Sequence, residues 1–246
     1  MTAFYPARII GHRGAALVAP ENTLSSLRAA AFSGARMVEV DAKLSADGGV
    51  ILMHDDDLDR TTNGRGPVKH QSLEALLRLD AGAWFSETFR GERLATLEDA
   101  VALLAELRIN LNMEVKPCAG REVETAERSL AVLRALWPQD QPPPVISSFA
   151  VPCMAVARDV AGDWPRAMLW EEIPADWRAQ VAELTVQGIH TDHRTLSPDL
   201  AGEIKAAGLA LACYTVNEPQ RARELWSWGV DAVFTDDPAM MLRATA

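Results

Sequence analysis

Short runs of apolar, often β-branched residues alternate with longer segments of helical periodicity along most of the chain. Eight such runs predict β-strands, at residues 8–12, 37–42, 109–115, 145–149, 166–170, 188–192, 209–216 and 231–235. The patterns between them predict helices, including residues 22–32, 97–107, 121–137, 175–185, 198–207 and 219–228. Alternating strands and helices form parallel sheets, and eight repeats favour closure. The pattern therefore predicts an α/β fold, a TIM-type (β/α)8 barrel, over an open doubly wound sheet.

One segment interrupts this alternation. After an additional short strand at residues 50–54, the chain from about 55 to 95 contains turn residues and aromatic residues without a strand–helix rhythm. We interpret it as a small inserted cap segment over one end of the barrel and not as a second domain. Residues 1–246 are accordingly expected to form a single barrel domain.

Composition narrows the classes of function. The net charge of −10 argues against general binding to nucleic acid or to anionic membranes, and no nucleotide-binding glycine motif follows the first strand. Three scattered cysteines without CxxC spacing favour a reducing compartment. With no signal-like amino terminus and no membrane-spanning segment in the sequence, we expect a cytoplasmic protein without membrane insertion. The sequence carries no signal for the oligomeric state.

Carboxylates recur on one face of two predicted strands. Glu39 and Asp41 lie two residues apart, and Glu114 lies on one face of a later strand with Asn112 and Lys116. Both sets lie at the carboxyl ends of their strands, where barrel enzymes place their active sites. The alternative is a set of salt bridges with Lys43, Lys116 or Arg13, which an isolated pair of carboxylates would favour. Two sets together favour a site for one divalent cation, Mg²⁺ or Ca²⁺, with Mn²⁺ as a further candidate; its ligands are Glu39, Asp41 and Glu114.

Two histidines end strand-like segments beside these carboxylates. His12 and His54 can exchange protons near neutral pH, whereas Arg13 and Lys116 can bind phosphate oxygens. Acid–base groups, cations and a divalent metal together indicate phosphoryl transfer. Elsewhere in the sequence, His70 is expected at the surface and His190 in a structural role.

Nine short motifs carry a resemblance to a known family. They are "GHRG" (11–14), "PENT" (20–23), "EVDAKLSADG" (39–48), "HDDDLDRTTNGRG" (54–66), "LDAGAWF" (79–85), "EVKP" (114–117), "ISSF" (146–149), "YTVN" (214–217) and "TDDP" (235–238). In this order the chain resembles the glycerophosphodiester phosphodiesterase family, most closely its bacterial cytoplasmic members. The resemblance implies a barrel with an inserted cap and the cleavage of a small glycerophosphodiester to sn-glycerol 3-phosphate and an alcohol.

The resemblance also implies residue roles. His12 and His54 become the acid–base pair, Arg13 and Lys116 the phosphate contacts, and the three carboxylates the metal ligands. We take His12 as the base and His54 as the acid, although the sequence permits the reverse. The attacking oxygen is either the glycerol 2-hydroxyl, through a cyclic phosphate, or water. Two rival functions stay open: a related phosphodiesterase acting on lysophospholipids or glycerophosphoinositol, and a catalytically silent binding protein.

Overall fold

The computed structural model describes residues 4–245, which contain nine strands. The strands are β1 (Ile9–Gly11), β2 (Met37–Leu44), β3 (Val50–Leu52), β4 (Asn110–Val115), β5 (Val145–Ser148), β6 (Arg166–Trp170), β7 (Gly188–Asp192), β8 (Ala210–Tyr214) and β9 (Ala232–Thr235). Eight of them pair in parallel in the order β1, β2, β4, β5, β6, β7, β8, β9, and β9 pairs with β1 to close the ring. The predicted (β/α)8 barrel is therefore confirmed.

Helices follow the barrel strands along the chain, and the last helix comes after the last strand. They are α1 (Leu24–Phe32), α2 (Leu73–Leu76), α3 (Leu97–Leu107), α4 (Glu122–Leu136), α5 (Val151–Val160), α6 (Trp177–Leu184), α7 (Pro198–Ala206), α8 (Pro219–Ser227) and α9 (Pro238–Thr245). Thr96 begins α3 with a reciprocal capping box to Asp99, which satisfies free amides of the first turn. Helices α2, α5 and α9 were not among the segments that the sequence pattern identified.

Side-chain alternation along β2 and β4 separates two environments. Val38 and Val40 of β2, like Leu111 and Met113 of β4, pack in the apolar layer between the barrel and the helices. The opposite faces point into the barrel. Its interior is apolar where the strands begin, with a cluster that includes Met37, Val145, Ala232 and Phe234. Polar side chains therefore collect towards the carboxyl ends of the strands, as expected for an active site in this fold.

Residues 53–96 form the inserted segment between β3 and α3. β3 itself is antiparallel to β2, and it ends at Leu52, so His54 lies just beyond it. The segment forms an apolar cluster with Ile51 of β3, to which it contributes Met53, Leu58, Val68, Leu76, Ala81 and Leu94. At the barrel rim it contacts the loop between β1 and α1, where Arg60 pairs with Glu21. The segment thus brings His54 and its neighbours to the same rim as His12.

Candidate active site

The carboxyl ends of the barrel strands surround a cavity of about 700 Å³. This volume lies within the range of small-molecule sites. The residues predicted from the sequence meet here: His12, Arg13, Glu39, His54, Glu114 and Lys116 line the cavity, and Asp41 lies at its edge beside Glu39 and Glu114. His70, in contrast, is exposed as expected.

The three predicted metal ligands form one compact cluster. Asp41 and Glu114 are paired in register on β2 and β4, and Glu39 lies one alternation earlier on β2. Carboxylate oxygens of all three residues lie within 4.8 Å of one another. Asn22 fixes Asp41, because its amide donates to Asp41 Oδ2 over 2.8 Å and its carbonyl accepts from the Asp41 amide over 3.1 Å.

Basic side chains flank this cluster but do not provide a hydrogen-bond partner for each of its carboxylate oxygens. Lys116 Nζ contacts Glu114 at 2.7 Å and Asp41 at 3.7 Å, and Arg13 Nε lies 3.3 Å from Asp41. Lys43 pairs with Asp56 instead. Glu39 Oε1 is buried without any hydrogen-bond partner among the described residues. A buried carboxylate oxygen without a partner is costly, so the oxygen-rich cluster fits a hard divalent cation in addition to the salt bridges.

The ionisation of the three carboxyl groups differs. Burial, together with the charges of Asp41 and Glu114, raises the pKa of Glu39. Burial and the charge of Asp41 raise the pKa of Glu114 to about 7. Burial also acts on Asp41, but Arg13, Lys116 and His54 outweigh it and lower the pKa of Asp41 to about 2. Without a cation, two of the three carboxyl groups therefore resist ionisation near neutral pH.

These shifts predict that a divalent cation stabilises the protein more at higher pH. The pKa of Glu114 rises from 4.5 to about 7 on folding, so without a cation the folded state loses stability as pH increases through that interval. A bound cation removes this penalty. At saturating Mg²⁺ or Ca²⁺ we expect the melting temperature to rise by about 5–10 °C near pH ~8 and by less than about half of that near pH ~5.5.

Thermal denaturation with and without the cation at both pH values measures this difference. Glu39→Gln should abolish most of the increase, whereas Glu124→Gln, on the outer helix α4, serves as a control with the same change of charge. Equal increases at both pH values would contradict the assignment of the carboxylates to a cation site.

Each of the two histidines is held by a carboxylate. His12 Nδ1 lies 2.7 Å from Asp236 Oδ1, and His54 Nδ1 lies 2.7 Å from Asp55 Oδ1. Burial opposes ionisation of Asp236, but its hydrogen bonds with His12 and Asn217 lower its pKa below the usual value. Because an ionised carboxylate only accepts hydrogen bonds, each ring carries its Nδ1 proton and leaves Nε2 free for chemistry.

The pKa of His54 is lower than the ordinary value of a histidine. Burial is the largest cause, and the positive charges of Arg13 and Lys116 also lower its pKa, against the opposing effect of Asp41. A second cavity of about 630 Å³ adjoins the first and is lined by His54, Lys116 and Phe149, but His12 does not line it. His54 therefore lies between two spaces, and His12 faces one.

The "GHRG" turn gives Arg13 an unusual backbone. Gly14 has a φ of +89°, and a Cβ at this position would lie 2.4 Å from Ser26 Oγ. Arg13 itself adopts a left-handed φ of 50°, which is strained for a residue with a side chain. In this conformation the Arg13 amide donates to Glu39 Oε2 over 2.8 Å, and its side chain reaches Glu21 and Asp41. The turn thus joins the predicted phosphate contact directly to the carboxylate cluster.

The structure adds residues to the site for which the sequence analysis predicted no role. Asp236, Asn22 and Glu21 hold His12, Asp41 and Arg13, and all three lie in the "TDDP" and "PENT" motifs. Arg60, from the "HDDDLDRTTNGRG" motif, contacts both Glu21 and Asp55. The motifs marked these positions, but their partners depend on tertiary contacts. His190 is buried with Nε2 against Tyr5 Oη at 2.8 Å, and burial lowers its pKa to about 3, which agrees with a structural role.

The chain is similar to proteins of one known family. The Glycerophosphoryl diester phosphodiesterase family matches residues 12–240. The glycerophosphodiester phosphodiesterase of Bacillus subtilis is 32% identical, covering 95% of this chain and 85% of that protein. That of Caldanaerobacter subterraneus is 29% identical, covering 95% and 96%. A phosphodiesterase of Oleispira antarctica, solved in complex with the product sn-glycerol-3-phosphate, has 36% identity and a TM-score of 0.94 over 97% of this chain and 96% of its own.

These similarities define the class of the protein: it is an enzyme, a phosphoric diester hydrolase on a (β/α)8 barrel. More specifically, the chain belongs to the glycerophosphoryl diester phosphodiesterase family, and the resemblance inferred from the motifs is confirmed. Within residues 4–245, no helix has both the length and the apolar character needed to span a membrane.

Proposed function

We propose that this enzyme hydrolyses small glycerophosphodiesters to sn-glycerol 3-phosphate and an alcohol, with one divalent cation and a pair of histidines. The observation that carries the proposal is that one cavity collects the carboxylate cluster, two histidines and two cations: Glu39, Glu114, His12, His54, Arg13 and Lys116. The product held by the similar Oleispira antarctica phosphodiesterase supports glycerol phosphate as the retained part of the substrate.

Arg13 and Lys116 are the proposed contacts of the phosphoryl oxygens. Both lie beside the carboxylate cluster, and burial does not prevent their pKa values from being raised by neighbouring carboxylates. Both side chains are therefore positively charged near neutral pH. Fixed positive charges aimed at the phosphoryl group stabilise the negative charge that develops during its transfer. Glu39, Asp41 and Glu114 would hold a cation that polarises a phosphoryl oxygen.

His12 is the proposed base. Asp236 accepts the Nδ1 proton and fixes the ring, so that the unprotonated Nε2 can take a proton from the attacking oxygen. Asn217 in turn donates to Asp236 Oδ2 over 2.7 Å, which holds the carboxylate in place. Asp236 and Asn217 thus orient the His12 ring, and His12 itself is the proposed proton acceptor.

His54 is the proposed acid. Asp55 holds its Nδ1, and Nε2 delivers a proton to the leaving alcohol as the phosphorus–oxygen bond breaks. The second cavity, which His54 lines and His12 does not, provides space for the alcohol on that side. The lowered pKa of His54 makes its protonated form a stronger acid and decreases the fraction of the ring that is protonated at a given pH.

We further propose that the barrel and the inserted segment act as one catalytic unit in the cytoplasm. The contribution of His54 and Asp55 from the segment to the rim supports the first point. The second is supported by Cys118, Cys153 and Cys213, which are all free thiols, as is usual in a reducing compartment.

A substrate panel tests the proposed function. We expect metal-loaded enzyme to release sn-glycerol 3-phosphate from glycerophosphocholine, glycerophosphoethanolamine and glycerophosphoglycerol, with the product measured by phosphorus NMR. Faster turnover of lysophosphatidylcholine or glycerophosphoinositol would favour a related phosphodiesterase. Binding of the diesters without turnover would favour a silent binding protein and would contradict the proposal.

A further inference from the structure

Arg60 joins two loops at the rim of the cavity. It lies in the inserted segment, and its guanidinium donates to Asp55 through Nε over 2.6 Å and Nη2 over 3.0 Å. The same guanidinium donates to Glu21, in the loop between β1 and α1, through Nη1 over 2.7 Å and Nη2 over 2.9 Å. One side chain therefore connects segments that are 39 residues apart in sequence.

Both carboxylates on Arg60 hold a residue with a proposed role in catalysis. Glu21 accepts from Arg13 Nη1 over 2.6 Å, and Asp55 lies 2.7 Å from His54 Nδ1. The contacts form a continuous chain in the order Arg13, Glu21, Arg60, Asp55, His54. Arg60 is at its centre and does not itself line either cavity at the active site.

We infer that Arg60 is a positioning residue that fixes the placement of the proton donor His54 relative to the phosphate contact Arg13. This inference rests on the proposed function, since it assumes that Arg13 contacts the phosphoryl group and that His54 protonates the leaving alcohol. The two groups arrive on different loops, and Arg60 connects those loops through Glu21 and Asp55. Its removal would leave the two side chains in place but would free each loop to move separately.

The chemistry of arginine suits this position. A planar guanidinium presents several N–H groups in a rigid fork and can bind two carboxylates at once, whereas a lysine ammonium acts as a point charge. The hydrogen bonds from Arg60 are the largest influence on Asp55 and hold its pKa well below the usual range. Asp55 thus remains an acceptor for His54. Because the Arg60 side chain is 44% exposed, its ion pairs contribute little to global stability.

Two substrates with different leaving groups test this role. An alkoxide, as from glycerophosphocholine, requires a proton from His54 Nε2 when the phosphorus–oxygen bond breaks, whereas nitrophenolate from the p-nitrophenyl ester of glycerol phosphate leaves without one. For Arg60→Ala we expect kcat/KM to fall about 10- to 100-fold with glycerophosphocholine. The factor of loss with the nitrophenyl ester should be smaller than this by at least about 5-fold. The melting temperature should change by less than about 3 °C.

Variants of Glu21 and Asp55 test separately the contacts that lead from Arg60 to Arg13 and to His54. Asp55→Asn should reproduce the selective loss with glycerophosphocholine, because it acts through His54 alone. Glu21→Gln should lower the activity with both substrates, unlike Asp55→Asn, because Glu21 holds Arg13, which contacts the phosphoryl group in either case, as well as Arg60. Arg60→Lys keeps the charge but cannot bind both carboxylates with the same fork, and we expect it to recover less than about half of the lost activity.

Arg65→Ala is the matched control. Arg65 lies in the same segment and is exposed. It pairs with Asp59 at 3.5 Å and takes no part in the series of contacts from Arg13 to His54. We expect its activity to stay within about twofold of the parent with both substrates. Arg60→Ala that behaves like Arg65→Ala, or full activity in Arg60→Lys, would overturn the inference.

His54→Ala distinguishes failure of the inference from failure of the proposed function. In one outcome, His54→Ala loses more activity with glycerophosphocholine than with the nitrophenyl ester, but Arg60→Ala loses the same factor of activity with both substrates. The proposed function then stands, and the role of Arg60 is wrong. If His54→Ala loses both equally, His54 is not the proton donor, and the inference fails together with that assignment.

Discussion

Alanine at His12 or His54 is expected to lower kcat/KM for glycerophosphocholine by about 10²- to 10⁴-fold each, because general acid–base groups typically contribute that much. His12→Ala removes the group that accepts the proton from the attacking oxygen, and His54→Ala removes the group that protonates the leaving alcohol. Both rings lie at the cavity with partly exposed side chains, 19% for His12 and 32% for His54, so neither substitution creates a large internal void. Steady-state assays of purified, metal-saturated variants measure the effect.

Two controls identify the cause of such a loss. His70→Ala replaces an exposed histidine in the inserted segment and should leave activity within about twofold of the parent. Circular dichroism and melting temperature should show that both active-site variants remain folded. Retention of most activity by either His12→Ala or His54→Ala would remove that histidine from the mechanism. If the two groups act in one concerted step, the variant that lacks both histidines should have only slightly lower activity than the less active of the two single variants.

The two histidine variants should also differ from each other. With a nitrophenyl ester, the leaving group needs no proton, so His54→Ala should recover a large part of its lost activity, whereas His12→Ala should not. The reverse pattern would exchange the roles of base and acid. It would leave the carboxylate cluster and the phosphate contacts unaffected.

Much of the site could be predicted because β-strands impose strict alternation on their side chains. Glu39 and Asp41 had to share one face of β2, and Glu114 had to share one face of β4 with Asn112. Barrel closure then brings the carboxyl ends of all strands to one rim, so residues far apart in sequence converge without any specific contact being known. The pairing of Asp41 with Glu114 in register follows from that geometry.

The parts that sequence patterns did not predict depend on partners or on missing boundary signals. Asp236 holds His12 across 224 residues, because β9 closes the ring against β1. Arg60 finds Glu21 only after the inserted segment folds onto the rim. Helix α5 begins after Ala150, whose side chain cannot cap it, so the usual polar start signal is absent there. The contacts of Asp236 and Arg60 need the packed structure, since no local periodicity encodes them.

Alternative salt bridges in the cluster turn out to coexist with the metal prediction. Lys116 and Arg13 do contact Asp41, as the competing interpretation expected, and they account for its lowered pKa. They do not reach the buried Glu39 Oε1, and the pKa values of Glu39 and Glu114 are raised despite these contacts. The salt bridges are therefore compatible with the proposed roles, in which Arg13 and Lys116 contact phosphate and the three carboxylates bind a divalent cation.

Removal of divalent cations is expected to lower activity with every glycerophosphodiester by at least about 100-fold, because a Lewis acid at a phosphoryl oxygen contributes several kcal/mol to the transition state. Treatment with EDTA, gel filtration and elemental analysis should precede the assay. Restoration with Mg²⁺, Ca²⁺ or Mn²⁺ in separate samples then ranks the ions by kcat/KM. The carboxylate ligands accept all three ions, so geometry within the loaded site determines the order.

Glu114→Gln makes this result specific to the cluster. The substitution keeps the shape of the side chain but removes one negative charge, so we expect reactivation to require at least about tenfold more cation than in the parent. Glu122→Gln, on helix α4 and outside the cluster, should reactivate at the parent concentration. EDTA saturated with Ca²⁺ before use controls for effects of the chelator itself. Full activity after verified removal of metal would contradict the cation site, because the proposed cation is the group that polarises the phosphoryl oxygen.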